Sequence, residues 1–383
     1  MKPIPLSYIE ISKENLIQNI KQFRKLVGKK TEISAVVKAN AYGHGDREVV
    51  RILNSQVDYF QINSVEELEK IRKITPKPIL LFGYVGKNDL EKAIKIGCIL
   101  TAFNFEHLLL INESARRLNK IQKVHLAIDS YLGREGFLPN DIEKLLPKFK
   151  SAPPAGGRRM KNIEIDGIYS HFANIEDSPN FSHAQKQLDT YQITCNMFQE
   201  YGYKNLKTHI SATSGVLTKH VPKMSIVRLG IGLYGMWPSE YLKKMWRGKI
   251  ILKPVLRWIT HVAQVKILPP NHPIGYGLTY ITKKKTKIAV IPQGYADGLP
   301  RALSNKGEVL IKGKKAKILG RVAMNMIVVD VSRIKNVQAE DEVIILGKQN
   351  KGEITAEEIA EKINTINYEI TTRISSLLLR IIV

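Results

Sequence analysis

YFQINSVEELEKIRKITPKPILLFG, residues 59–83, reads as one strand–helix–strand unit, and its repetition sets the fold. YFQINS (59–64) and PILLFG (78–83) are short apolar runs of strand length, and SVEELEKIRKI (64–74) between them is amphipathic at helical spacing. Outward from this unit the same alternation continues. EISAVVKA (32–39) precedes it, and CILTAF (98–103), VHLAID (124–129), IDGIYSHF (165–172), KTHISAT (207–213) and SIVRLGIGLYG (225–235) follow. Helical patterns separate them, among them NFEHLLLINESARRLNKI (104–121) and SHAQKQLDTYQITCNMFQEYG (182–202). In the latter, Leu188, Tyr191, Met197 and Phe198 recur at helical spacing. Eight strands, each followed by a helix or turn, predict an α/β chain with an N-terminal (β/α)8 TIM-type barrel.

From about residue 250 the rhythm changes. LRWITHVAQVKIL (256–268), TKIAVIPQGY (286–295), GEVLIKGKKAKILGRVAMNMIVVDV (307–331) and DEVIILG (341–347) are punctuated by Gly, Pro and Asn. They predict a mostly antiparallel β domain. The expected division is a barrel over residues 1–236 and a β-rich domain over 237–383, with the first strand free to join the second domain. ITAEEIAEKIN (354–364) predicts a helix with Thr355 as N-cap and Glu358 completing a capping box. SAPPAGGRRMK (151–161) reads as an irregular loop within the barrel.

Composition narrows the class. A length of 383 residues, 44% apolar and 25% charged, is ordinary for a globular protein of two domains. No apolar run reaches the length of a membrane span, and the N-terminus lacks the pattern of a signal peptide, so a cytoplasmic location is expected. The net charge of +24 is spread along the chain. Its densest runs, KKKTK (283–287) and KGKKAK (312–317), read as exposed turns between strands, with no nucleic-acid-binding motif beside them. The two cysteines, Cys98 and Cys195, stand apart and read as reduced buried thiols, and no metal site is expected.

Active sites of such barrels lie at the C-terminal ends of the strands. Lys38 ends the first predicted strand, Arg134 follows the fifth, His171 ends the sixth, His209 lies within the seventh and Arg228 within the eighth. All but His209 fall at or just past a predicted strand end and should converge on one mouth. A lysine at the end of a buried strand is costly to hold charged, so its pKa should fall. A neutral amine there can bond covalently to a carbonyl cofactor.

AVVKANAYGHG (35–45) closely resembles the cofactor-lysine signature of the alanine racemase family. The resemblance runs on through IDSYLGREG (128–136), IYSHFANIED (168–177), VRLGIGLYG (227–235), GYGLTY (275–280), QGYADGLPR (293–301) and LGRVAMNMIVVDV (319–331), covering nearly the whole chain. It implies an isomerase dependent on pyridoxal 5'-phosphate that interconverts L- and D-alanine, a product that feeds peptidoglycan in the family. It also implies a homodimer with shared sites. Lys38 resembles the Schiff-base lysine and base on one face of the substrate. Tyr276 resembles the base on the opposite face, contributed by the partner subunit. His171 is similar to the histidine that hydrogen-bonds this tyrosine. Arg228 is similar to the arginine facing the pyridine nitrogen, and His209 to a residue supporting it. Arg134 matches the arginine at the cofactor's phenolic oxygen and the substrate. Tyr42, Thr213, Gly230 and Ile231 occupy the phosphate-binding positions. Tyr295 and Met324 match residues of the substrate entrance and carboxylate site.

The chain departs from the family at three positions. Many members carry a lysine, carbamylated, where this chain has Ala127, so Arg134 needs another partner, such as a bound anion or a neighbouring side chain. Asn325 replaces the usual aspartate, and Ser376 stands where some members place a phosphate-binding tyrosine. Four other readings compete. A racemase of broader specificity would share the scaffold, and an inactive cofactor-binding homologue would share the ancestry. A related decarboxylase would need a cysteine in the second domain, and none follows Cys195. A cofactor carrier of this kind would be a single barrel without a β domain.

Overall fold

The structure is a computed structural model and describes residues 5–150, 160–177, 179–218 and 221–383. Most of the predicted loop at 151–161 therefore lies outside the described residues.

After β1 (Tyr8–Ile11), eight strands form a parallel, near-closed barrel: β2 (Glu32–Val36), β3 (Tyr59–Ile62), β4 (Ile79–Leu81), β5 (Ile99–Ala102), β6 (Gln122–Ala127), β7 (Ile163–Tyr169), β8 (Lys207–His209) and β9 (Ile226–Leu229). Their order is β8-β7-β6-β5-β4-β3-β2-β9. The remaining seam, between β8 and β9, is joined by the Arg228 N–H donating to Ser211 O at 3.0 Å and the Thr208 N–H donating to Ser225 Oγ at 3.2 Å. Strands covered on both faces read as unbroken apolar runs, and β3, β4, β5 and β9 are buried at every residue.

The observed strands are shorter than the apolar runs that announced them. KTHISAT ends as a strand at His209, and SIVRLGIGLYG splits into β9 and a 3-10 turn at Ile231–Tyr234. The apolar residues beyond the last ladder bond are buried by the loops of the barrel mouth rather than by the sheet. Helices between strands are capped as their sequences suggest. Ser64 accepts from the Glu67 N–H at the start of Val65–Arg72, and Asn104 accepts from the His107 N–H at the start of Phe105–Arg117. Cys195 is buried on helix Ser182–Glu200, and burial pushes the Cys98 thiol up to about 12.

The second sheet comprises β10 (Leu256–His261), β11 (Gln264–Leu268), β14 (Thr286–Ile291), β15 (Glu308–Ile311), β16 (Lys314–Leu319), β17 (Ile327–Asp330), β18 (Glu342–Gln349), β19 (Gly352–Ile354) and β20 (Leu379–Ile382), together with β1. A two-stranded hairpin, β12 (Pro273–Ile274) and β13 (Tyr280–Ile281), stands apart. Every pairing in the second sheet is antiparallel except β1 with β20. Strand β1 lies between β10 and β20, so both ends of the chain are held in this sheet. One apolar cluster runs from the barrel, at Ile33 and Leu126, into the second sheet, at Val309 and Ile344.

Three local readings change. In KGKKAK only Lys312 and Gly313 form the turn, and Lys314, Lys315 and Lys317 lie exposed along β16. KKKTK runs from a bend at Lys283 into β14, which begins at Thr286. In helix Ala356–Ile363, Thr355 accepts from the Glu358 N–H at 3.1 Å, but the Glu358 carboxylate turns to Lys315 and Lys362 instead of completing the box. Among the described residues, no helix is long and apolar enough to cross a membrane.

Candidate active site

A cavity of about 550 Å³ opens at the C-terminal ends of the barrel strands. Lys38, Tyr42, Arg134, His171, Thr213, Arg228, Gly230 and Ile231 all line it. These eight sequence-predicted residues meet at one mouth, although Arg228 projects from the body of β9 rather than from its end. His209, the last residue of β8, is fully buried against Arg228.

Lys38 stands at the head of an unusual turn. Ala39, Asn40, Ala41 and Tyr42 all have φ between 53° and 55°, one turn of left-handed helix. Each such residue costs about 1–2 kcal/mol, so the turn persists only because its surroundings hold it. Glu67 accepts the Ala39 N–H at 2.6 Å with one carboxylate oxygen and the Asn63 N–H at 2.7 Å with the other. The Asn40 side chain accepts the Asp46 N–H at 3.0 Å. Gly43, at φ 84°, closes the turn with its N–H on Ala39 O at 3.0 Å. A Cβ at Gly43 would lie 1.9 Å from Thr371 O, so this glycine also seats the turn against helix Asn367–Thr372. Burial lowers the Lys38 pKa, and the nearby Arg134 and Arg228 guanidinium groups lower it further. Glu67 and Glu135 oppose them.

Arg228 is buried and saturated with acceptors. One terminal nitrogen donates to His209 Nδ1 at 2.7 Å and His209 O at 3.0 Å. The other reaches Ser170 O at 2.8 Å, Ile210 O at 3.1 Å and His171 Nδ1 at 3.1 Å. Burial lowers the Arg228 pKa to about 10, so the guanidinium remains charged at neutral pH. Burial, followed by the charges of Arg228, Arg134 and Lys38, drives His171 down to about 3, which keeps its ring neutral.

At another part of the cavity wall the chain forms a cradle. The Thr213 hydroxyl accepts the Gly230 N–H at 3.2 Å and the Gly232 N–H at 3.4 Å. A Cβ on Gly230 would lie 2.7 Å from Tyr42 Oη, so only glycine leaves this approach open. Tyr42 is packed beside Tyr234 and Tyr368, with ring centroids 5.1 and 6.1 Å away. Hydroxyls and backbone N–H groups in a concave site suit a phosphate. With a nucleophilic amine and two guanidinium groups close by, this donor set fits a phosphorylated carbonyl cofactor.

The partner for Arg134 is its sequence neighbour. Its Nε and a terminal nitrogen donate to the two oxygens of Glu135, at 2.5 and 2.9 Å. The Arg134 side chain is 57% exposed, so this pair orients the guanidinium more than it stabilises the fold. Ala127 is buried at the end of β6, level with Tyr169 on β7. Ser376 is exposed and does not line the cavity.

Tyr276, Tyr295 and Met324 do not reach this cavity in their own chain. They are 74%, 43% and 55% exposed on the second domain. The Tyr295 N–H donates to Ala323 O at 3.0 Å, and the Ala296 N–H to Met324 O at 2.9 Å, which fixes these two segments together. Gly277, next to Tyr276, packs against the Arg321 guanidinium, which comes from the loop between β16 and β17. Sequence reading missed Glu176 and Tyr368, both of which line the cavity. Burial raises the Glu176 pKa, and the Ser214 hydroxyl donates to its carboxylate. Glu176 sat inside a quoted motif, whereas Tyr368 lay in a segment without a strand or helix signal of its own.

Fold and site together define an enzyme with a lysine of lowered pKa in a cavity at the mouth of a TIM-type barrel, joined to a β domain. The family descriptions "Alanine racemase, N-terminal domain" and "Alanine racemase, C-terminal domain" match residues 11–238 and 255–382. An alanine racemase of Desulforamulus reducens is 36% identical over 371 residues, covering 96% of both chains. That of Methanococcus maripaludis is 36% identical over 376 residues, covering 98% of both. The solved alanine racemase of Clostridium difficile superposes with a TM-score of 0.91 at 32% identity, covering 100% of this chain and 97% of the other. The Bartonella henselae structure, with covalently bound pyridoxal phosphate, gives a TM-score of 0.85 at 26% identity, covering 99% and 100%. The chain belongs to the alanine racemase family.

Proposed function

We propose that the protein interconverts L- and D-alanine as a homodimer with pyridoxal phosphate, using Lys38 and Tyr276 of the partner subunit as the two bases. The observation that carries this reading is the Lys38 amine, with its lowered pKa, in a cavity it shares with a phosphate cradle and a buried guanidinium. Lys38 would hold the cofactor covalently, the hydroxyls of Thr213 and Tyr42 and the backbone at Gly230 and Ile231 would cradle its phosphate, and Arg228 would face its ring nitrogen. Bound there, the cofactor's electron-withdrawing ring acidifies the Cα–H of the attached amino acid.

Racemisation then needs a proton removed from one face and another delivered to the opposite face. Once the amino acid's own amine has displaced it from the cofactor, the Lys38 amine, its pKa lowered by burial, would accept the proton on its face or, when protonated, return it. On this reading the second face is served by Tyr276 of the partner subunit. Tyr276 stands exposed on the second domain, as Met324 and Tyr295 do, which is expected of a residue completing another copy's site across a two-fold interface. Arg228, held charged by five acceptors, disfavours a proton on the cofactor's ring nitrogen. His171 stays neutral and is oriented by Arg228. Arg134, aimed by Glu135, presents positive charge for the cofactor's phenolic oxygen and the substrate carboxylate.

The test is circular dichroism of L-alanine and of D-alanine incubated with the loaded protein, beside Lys38→Ala. Conversion in both directions that Lys38→Ala abolishes establishes the reading. A yellow protein that leaves alanine unchanged sinks the alanine assignment and points to another amino acid. A protein that takes up no cofactor sinks the whole reading.

A further inference from the structure

The contacts of Arg228 do not stop at His209. The Arg228 guanidinium donates to His209 Nδ1 at 2.7 Å, His209 Nε2 lies 2.8 Å from His125 Nδ1, and His125 Nε2 lies 3.1 Å from Asp166 Oδ2. The four residues come from four adjacent strands, β9, β8, β6 and β7. The line runs away from the cavity, through the barrel interior, to Asp166. There Lys123, half exposed, holds the other carboxylate oxygen at 2.9 Å. His125 and His209 are fully buried. Gly167 makes room for this line, because a Cβ there would lie 2.8 Å from the His125 ring and 2.8 Å from Lys207 O.

The direction of every bond is forced. A guanidinium has donors only, so His209 Nδ1 must accept and its proton sits on Nε2. That proton is donated to His125 Nδ1, which places the His125 proton on Nε2, aimed at a carboxylate. A carboxylate accepts only, so both ends agree. The reverse order would set a His209 N–H against a guanidinium N–H at 2.7 Å. Both rings stay neutral. Burial lowers the His125 pKa against the pull of Asp166, and burial and then Arg228 drive His209 well down.

We propose that Asp166 is a positioning residue for Arg228: as the terminal acceptor it holds the His125 ring, and through it the His209 ring, in the tautomers and orientation that the guanidinium requires. It supplies the terminal acceptor. The geometry asks for an oxygen lone pair at that position, and a neutral amide oxygen serves as well. The consequence for the cofactor rests on the reading that Arg228 faces its ring nitrogen, whereas the tautomers themselves do not depend on it.

The test is long-range 15N–1H NMR of histidine-labelled holoenzyme, which reads each ring's tautomer directly, in the wild type, Asp166→Ala and Asp166→Asn. His125 and His209 of the wild type should both be neutral Nε2–H rings near pH 7. Asp166→Ala should perturb the His209 ring signals and weaken pyridoxal phosphate binding, measured by titration of its visible band, by about 10-fold, the lower end of what losing an outer hydrogen-bond partner costs at metal sites. Asp166→Asn should stay within about threefold of wild type, because its amide oxygen restores the acceptor. An Nδ1–H tautomer at either ring in the wild type overturns the proposal. So does an Asp166→Ala protein with unchanged His209 signals and unchanged cofactor affinity. If Asp166→Ala does not fold, the wild-type tautomers and Asp166→Asn decide alone. Correct tautomers in a protein that fails to racemise alanine would count against the proposed function and not against this line of bonds.

Discussion

Gly43→Ala should cost both stability and cofactor affinity, because this glycine ties the lysine-bearing turn to the second domain. At φ 84° an alanine pays about 1–2 kcal/mol for the left-handed backbone. Its Cβ would lie 1.9 Å from Thr371 O and 2.8 Å from Thr371 C. These are backbone atoms, so no rotamer change relieves the overlap, and displacing helix Asn367–Thr372 adds about 1–3 kcal/mol. Together the two terms give about 2–5 kcal/mol, or a fall in Tm of about 2–6 °C for a chain of 383 residues. Arg380 also donates to Gly43 O, at 2.9 and 3.3 Å, so a displaced turn strains that contact too. Lys38 would move with the turn, and pyridoxal phosphate should bind at least about tenfold more weakly. The assay is thermal unfolding of the cofactor-free protein together with a titration of the visible cofactor band. Gly86→Ala is the control. Its φ is −66° and nothing lies within 4 Å of the added carbon, so its Tm should stay within about 1–2 °C of wild type. A Gly43→Ala protein with wild-type Tm and wild-type affinity would refute this account of the turn.

Arg228→Lys should be destabilised, because an ammonium offers at most three donors to the five acceptors the guanidinium serves. Each acceptor left without a donor costs about 1–3 kcal/mol, and a variant unfolding at the wild-type temperature would contradict the assignment. Since the Lys38 pKa is lowered, the native chain holds fewer protons than the unfolded chain between that lowered value and the free-lysine value near 10.4. The cofactor-free protein should therefore lose stability as pH falls through that window and regain it as pH rises. Cofactor uptake should rise with a midpoint below the free-lysine value, and Glu67→Gln should lower the midpoint further; a midpoint at or above that value would refute the shift. His171, held near 3 by burial and three cations, should show no NMR titration between about pH 5 and 9.

The barrel was legible because its signal is local and repeated. Most of its strands are buried apolar runs, and several of its helices begin at a capping Ser or Asn, as at Ser12, Ser64 and Asn104. The strand ends were not, because Ile210 and Ile231 are as apolar as the ladder residues before them yet are buried by the mouth. Lys38 and its turn were legible together, since the residues that shape the turn lie within AVVKANAYGHG itself. Its brace, Glu67, was not, because it arrives from the helix after β3. Glu135 is adjacent in sequence to Arg134, but only the side-chain directions reveal that it supplies the counter-charge. The partnership of His125 with Asp166 and His209 was invisible, because it depends on the register of three strands drawn from distant parts of the chain. Tyr276, Tyr295 and Met324 were named by resemblance alone, and no spacing in one chain could say whether they complete a cavity or whose.

That last point is the centre of the account, and a mixing experiment tests it. Lys38→Ala and Tyr276→Phe, each nearly inactive alone, would be unfolded together in equal amounts, refolded with pyridoxal phosphate and assayed for L-alanine to D-alanine conversion. If each site takes its lysine from one chain and its tyrosine from the other, random pairing makes about half the dimers mixed. Each mixed dimer then carries one intact site and one doubly defective site, so the mixture should recover about one quarter of wild-type activity. A mixture no more active than its two components would place both bases on one chain and contradict the shared site.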